Sequence, residues 1–332
     1  MIEMPLFEDE DWFLQIVKSL LVDGRIRDIQ KCDRVCNEKL QEINDLLAEI
    51  ICDEDFSNEN CKYTLFEKII LAPYEDLRKI HDKLDGRAED IFIDQVRDDS
   101  GKVKKVIKSK WRSIYSLYDK FISRGFNTQL VQKYGIKCCP YCNENYIINR
   151  KKKNNQSYAM AQLDHFYPRD KFPIFAISLY NLIPACSTCN HIKSIEEIGI
   201  SPHDHTRDFS HLRITYMPKS SGWIDNAEEI DLLFDYDKND PDFQEDMERN
   251  LETMGIKSSY CAHKDYVQEL LKKKQIYGKE MRSNLLKDFP ELFNSDDELI
   301  RIIFSNYIDE KDALKRPLAK LTQDMLKELN II

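Results

Sequence analysis

Apolar side chains recur along the first third of this chain with the period of a helix. Phe13, Ile16, Val17, Leu20 and Leu21 fall at i, i+3, i+4, i+7 and i+8, which is one buried helix face. Trp111, Ile114, Tyr115, Tyr118, Phe121 and Ile122 repeat the pattern, with Gly125 placed to end that helix. From about Lys133 to His211 the apolar runs are short and broken by turn residues. Tyr146-Ile147-Ile148 and the run from Tyr158 to Leu163 are therefore predicted as two strands joined by the polar, basic loop Asn149 to Ser157. Asp164 and His165 then end the second strand, Asn181-Leu182-Ile183 forms a further short strand, and Thr188 starts a helix that carries Asn190. Helical spacing returns later. Ser295-x-x-Glu298 has the form of a capping box ahead of Leu299, Ile300, Ile302 and Ile303, and Leu318, Leu321, Met325 and Leu329 make a last stripe.

Composition narrows the class. With 332 residues, 42% hydrophobic and 33% charged, the chain can bury a sizeable core and is neither disordered nor membrane-embedded. No apolar run approaches a membrane span, and Met1-Ile2-Glu3-Met4 lacks the pattern of a signal peptide, so the expectation is a cytoplasmic protein. The net charge of -10 argues against nucleic acid until its distribution is read. From Lys133 to Lys193 there are nine basic and three acidic residues, a net of +6, which leaves -16 for the rest. A cationic module on an anionic body is compatible with local phosphate binding. Lys102, Lys104, Lys105, Lys108 and Lys110 could extend that surface, but a solvated helix face or loop is the simpler reading. The stretch Asp225 to Glu248 carries eleven carboxylates and one lysine. Its Asp235-x-Asp237-x-Asn239 opening is not a calcium loop, because Asp240 stands where the turn needs glycine and Asp246 where the closing glutamate belongs.

The chemistry concentrates in the basic module. Cys139/Cys142 and Cys186/Cys189 are two C-x-x-C pairs, the spacing that lets four thiolates close a tetrahedral zinc site. Cys138 falls outside that spacing and is assigned to the core, as are Cys32, Cys36, Cys52, Cys61 and Cys261. His203, His205, His211 and His263 receive no role. Between the knuckles lies Leu163-Asp164-His165-Phe166-Tyr167-Pro168, and the second knuckle runs into Asn190-His191-Ile192-Lys193. Phosphodiester hydrolysis needs a base, a cation and the positioning of both. His165 suits the base, and Asp164 with Asn190 suits a hard divalent ion, magnesium or manganese. His191 could take the place of Asn190 if the helix starts one residue later.

At these residues the chain resembles the HNH endonucleases, which share the ββα-metal (His-Me finger) fold. The resemblance covers about a quarter of the chain. It implies that His165 is the general base, that Asp164 and Asn190 hold one catalytic Mg2+ or Mn2+, that Asn181 orients the loop carrying the histidine, and that Lys193 contacts phosphate. Arg150, Lys151, Lys152 and Lys153 form the basic loop expected to meet nucleic acid. The expected fold is thus α+β. A central module, residues 131–215, combines the HNH site with a structural Zn2+ on four cysteines, between a helical region (1–130) and an acidic then helical region (216–332). The expected reaction is hydrolysis of DNA, or alternatively RNA. The Leu-Asp-His-Phe-Tyr-Pro and Tyr180-Asn181-Leu182-Ile183-Pro184 segments look like the HNH subunits of bacterial antiphage systems such as Septu, which implies an ABC-type ATPase partner. The flanking regions would serve partner binding or homo-oligomerisation. The competing reading is a non-catalytic zinc-ribbon adaptor that binds nucleic acid.

Overall fold

A computed structural model describes residues 1–21, 29–57, 62–151, 153 and 157–332. Cys61 and Lys152 lie outside the described residues, as does the side chain of Cys32. The chain opens with helices α1 (Glu10–Leu20), α2 (Ile29–Leu47), α3 (Leu65–Leu71), α4 (Tyr74–Leu84) and α5 (Ala88–Phe92). Strands β1 (Ile93–Arg97) and β2 (Val103–Ile107) precede α6 (Arg112–Ser123) and α7 (Phe126–Tyr134). The middle holds β3 (Arg150–Lys151), β4 (Ser157–Tyr158), β5 (Gln162–His165), β6 (Leu182–Ala185) and α8 (Ser187–Lys193). It is followed by β7 (Leu212–Pro218), β8 (Ile230–Tyr236), α9 (Pro241–Thr253), α10 (Ile256–Tyr260), α11 (Lys264–Ile276), α12 (Lys279–Asp288), α13 (Asp296–Ile303) and α14 (Ala319–Glu328). The fold is mixed: helices, with strands that pair among the described residues only as two-stranded antiparallel sheets. One apolar core joins residues from Met1 to Ile331.

The helical periodicities correspond to real faces. Phe13, Val17, Leu20 and Leu21 are buried, and α6 buries Ile114, Leu117 and Phe121. Gly125, at φ 76°, adopts the left-handed conformation that glycine takes without a Cβ penalty, and its N–H closes on Ile122 O at 2.9 Å. Ser295 caps α13 by accepting from Glu298 N. The reciprocal half of the box is shifted by one residue, because the Glu298 carboxylate accepts from Asn294 N.

Several expectations need correction. Of the lysines before α6, Lys104 and Lys105 lie on β2 of the β1–β2 hairpin, where Lys104 pairs with Asp98 and Lys105 with Glu89, while Lys102 and Lys108 flank the strand and Lys110 lies in the turn before α6. The middle hairpin lies further along than predicted, pairing Arg150 with Tyr158 and Lys151 with Ser157, while Tyr146 makes only an isolated bridge to Cys138. Asn181 ends a 3₁₀ turn just before β6 instead of lying within it. Cys52 and Cys261 are exposed and Cys36 is half-buried, so three cysteines assigned to the core are not fully inside it.

The first knuckle is anchored to the C-terminal region. Asn143, at φ 54°, closes the turn by donating its N–H to Cys139 O at 2.8 Å. Its side chain donates to Ala313 O and accepts from Lys320 N, and its carbonyl accepts from Leu318 N. Tyr260 Oη donates to Cys142 O at 2.7 Å. Backbone groups of residues 313–320, which lead into α14, therefore clamp this turn through both the backbone and the side chain of Asn143.

Candidate functional site

Cys139 and Cys142 on that turn meet Cys186 and Cys189 at the start of α8, where Cys186 is the N-cap residue. All four are buried, and their sulfurs lie within 4.8 Å of one another. A tetrahedral zinc–thiolate site places its sulfurs about 3.8 Å apart, so the four could hold such an ion with little movement. Glu144 N donates to Cys142 Sγ at 3.4 Å and Cys189 N to Cys186 Sγ at 3.5 Å. Asn145 Nδ2 reaches both Cys142 and Cys186 at 3.7 Å, linking the knuckles as an outer-shell donor does. Burial, together with the neighbouring sulfurs, pushes the Cys139 thiol well up. A second thiolate is costly in this space unless a cation arrives.

The second knuckle is attached to the Asp-His strand. In the β5–β6 ladder Asp164 lies opposite Ile183 and His165 opposite Leu182, and β6 is buried throughout. Asp164 is 3% exposed. Tyr141, inside the first knuckle, donates to its Oδ2 at 2.6 Å, and Lys193 Nζ stands 3.2 Å from Oδ2 and 2.8 Å from His165 O. Burial pushes the Asp164 carboxyl up, while Lys193 and Tyr141 pull it back toward the ionised form. Lys193 is fully buried and engaged from the interior, so it does not sit at the surface where a phosphate contact was expected.

His165 Nε2 lies 2.9 Å from Ala176 O. A carbonyl can only accept, so Nε2 carries the hydrogen and Nδ1 is left as the acceptor. Burial, reinforced by the charges of Arg169 and Lys193, holds the imidazole well below its ordinary pKa and hence neutral. Asn181 fixes the chain beyond it: its Oδ1 accepts from Tyr167 N at 2.8 Å, and its Nδ2 donates to Tyr167 O and Phe175 O at 3.1 Å.

Asp164, His165, Asn190 and His191 line one cleft of about 590 Å³ together with Gln162, Arg169 and Tyr118. Asn190 Nδ2 donates to Gln162 Oε1 at 2.7 Å. Because Asn190 and His191 both border the cleft, the choice between them as a ligand stays open. Arg150, Lys151 and Lys153 are exposed on the β3–β4 hairpin, outside this lining. One wall comes from α6, which was read only as a core helix. Tyr118 sets its ring edge-on to His165 at 4.4 Å and donates to Leu163 O at 2.9 Å. The Arg169 guanidinium lies 4.7 Å from the rings of Tyr115 and Tyr118 and pairs with Asp119 at 2.9 Å. Arg169 was counted only as charge; its place four residues after His165 was the available signal. No family model, curated protein or solved structure matches the chain significantly.

Among the described residues a second cluster of metal-type donors, His81, Asp85 and Glu197, lies across the loop that follows β5. Lys171 Nζ already bridges Asp85 at 2.6 Å and Glu197 at 2.7 Å, and His81 Nε2 meets Glu197 at 3.1 Å. The His81 ring stacks on Tyr167 at 4.2 Å.

Proposed function

We propose that the chain is a metal-dependent endonuclease of the HNH type that hydrolyses nucleic acid, DNA in the first place, with zinc on the four cysteines. The observation that carries the reading is the coupling of two unlike sites. A closed thiolate cluster contributes α8 and Tyr141, and these hold an Asp-His strand end at an open cleft. His165, neutral and with Nδ1 as its acceptor, takes a proton from water. Asp164 and Asn190, or His191, would hold a magnesium or manganese ion, which when bound neutralises charge on the phosphate and the leaving oxygen. Arg169 replaces Lys193 as the candidate phosphate contact, since it borders the cleft and offers a planar fork of donors. Lys193 instead holds Asp164 and the His165 backbone in register. Antiphage defence beside an ABC-type ATPase is proposed as the setting on the resemblance alone.

One observation favours the adaptor reading: Asp164 is nearly inaccessible and already has two donors. Cleavage of supercoiled plasmid with magnesium or manganese separates the two readings. A nuclease loses cleavage on His165→Ala with zinc retained; an adaptor has none to lose.

A further inference from the structure

On the nuclease reading above, the surface beyond the cleft bears on the kind of strand this site would take. Around the first knuckle Tyr146 is 51% and Ile148 42% exposed, with Ile147 fully buried between them. Arg150 follows, also exposed, and pairs across β3–β4 with Tyr158. On the returning segment Tyr158 is 38% and Met160 37% exposed, Ala161 is buried, and Gln162 turns outward into the cleft. Alternate positions on both segments thus put large apolar or aromatic groups on the surface, and the returning one leads to the side chain that Asn190 holds. Large apolar groups left on the surface at successive alternate positions are unfavourable in water, and such a surface suits a partner that covers it.

Charge selects the occupant. Arg150, Lys151 and Lys153 are exposed on the same hairpin, so the partner has both flat apolar faces and negative charge. Unpaired nucleotides supply that combination, since bases stack on the rings while phosphates meet the cations. A closed duplex offers the phosphates but keeps its base faces inside its own stack. We infer that the surface carrying Tyr146 and Tyr158 is a stacking track for an unpaired nucleic-acid strand, leading it past Gln162 to His165.

The test is fluorescence anisotropy without added divalent ion, using a labelled oligothymidylate and a labelled duplex of equal length. Wild type binds the single strand more tightly. The Tyr146→Ala, Tyr158→Ala double variant, with its zinc intact, loses at least tenfold in single-strand affinity and little on duplex, because each stacked base is worth a large factor. The double phenylalanine variant keeps wild-type affinity, since it keeps the rings. Arg150→Ala with Lys151→Ala weakens both ligands and lowers the salt dependence. Unchanged single-strand affinity in the alanine variant, or wild-type preference for duplex, overturns the track, and so does a wild type that binds no nucleic acid. Parallel cleavage assays keep the two claims apart. Cleavage through His165 with normal binding by the tyrosine variants retains the nuclease and removes the track. Cleavage that survives His165→Ala, with binding lost in the tyrosine variants, does the reverse.

Discussion

The four-cysteine cluster and the His81–Asp85–Glu197 cluster both gather metal-type donors, yet they differ in what balances their charge. Two of the four sulfurs, those of Cys142 and Cys186, accept from neutral amide N–H groups, and all four stand in buried space, where thiolate charge has to be compensated by something added. The second cluster has its cation built in, because the Lys171 ammonium sits between the two carboxylates and His81 completes the ion-pair set. Converging donors therefore do not define a metal site by themselves. An internal lysine turns the same geometry into a bracket that fastens α4 to the loop after β5.

The largest way to break this comparison is Cys186→Ser. Loss of one thiolate should release the metal and cost several kcal/mol, on the scale of structural zinc sites, read as a lower denaturant midpoint and lost zinc. Lys193→Met comes next, since it leaves Asp164 buried without its cation; removing one partner of a buried pair costs about 3–5 kcal/mol, measured by chemical denaturation. Arg169→Ala should leave zinc and stability near wild type but lower cleavage roughly tenfold or more, the value of about one charge-assisted phosphate contact. The smallest effect concerns pH. Burial alone would lower the His81 pKa, but hydrogen bonds to Glu197 and Asp82 carry it above its ordinary value, while Glu197 is lowered to about 2 chiefly by His81. Their pairing is therefore complete between the ordinary pKa of a glutamate and that of a histidine. It is lost as pH rises through the raised His81 value, and lost again as pH falls toward that of Glu197. Glu197→Gln should flatten this dependence by roughly 1 kcal/mol, read from thermal unfolding across pH, with zinc content unchanged.

What the sequence made legible were features with local cause. The α1 and α6 faces follow from spacing, Gly125 from its backbone freedom, and the meeting of the two knuckles from thiolate chemistry. The strand end at Asp164-His165 was legible because Pro168 and the apolar run before it confine where β5 can stop. The rest depends on partners far along the chain. Lys193 was read as a phosphate contact on the resemblance, and only the fold brings Asp164, 29 residues away, to its buried ammonium. Tyr118 was indistinguishable from a core aromatic until β5 and Arg169 packed beside it. The β1–β2 hairpin was missed because lysines at strand positions carry little apolar alternation.

The most direct measurement is magnesium- or manganese-dependent plasmid cleavage by two variants brought to equal zinc content, His165→Ala and His81→Ala. The account predicts that the first loses a factor of about 10²–10⁴, the usual worth of a general base, while the second keeps most of the wild-type rate. Cleavage that persists in His165→Ala, or that vanishes equally in both, would contradict it.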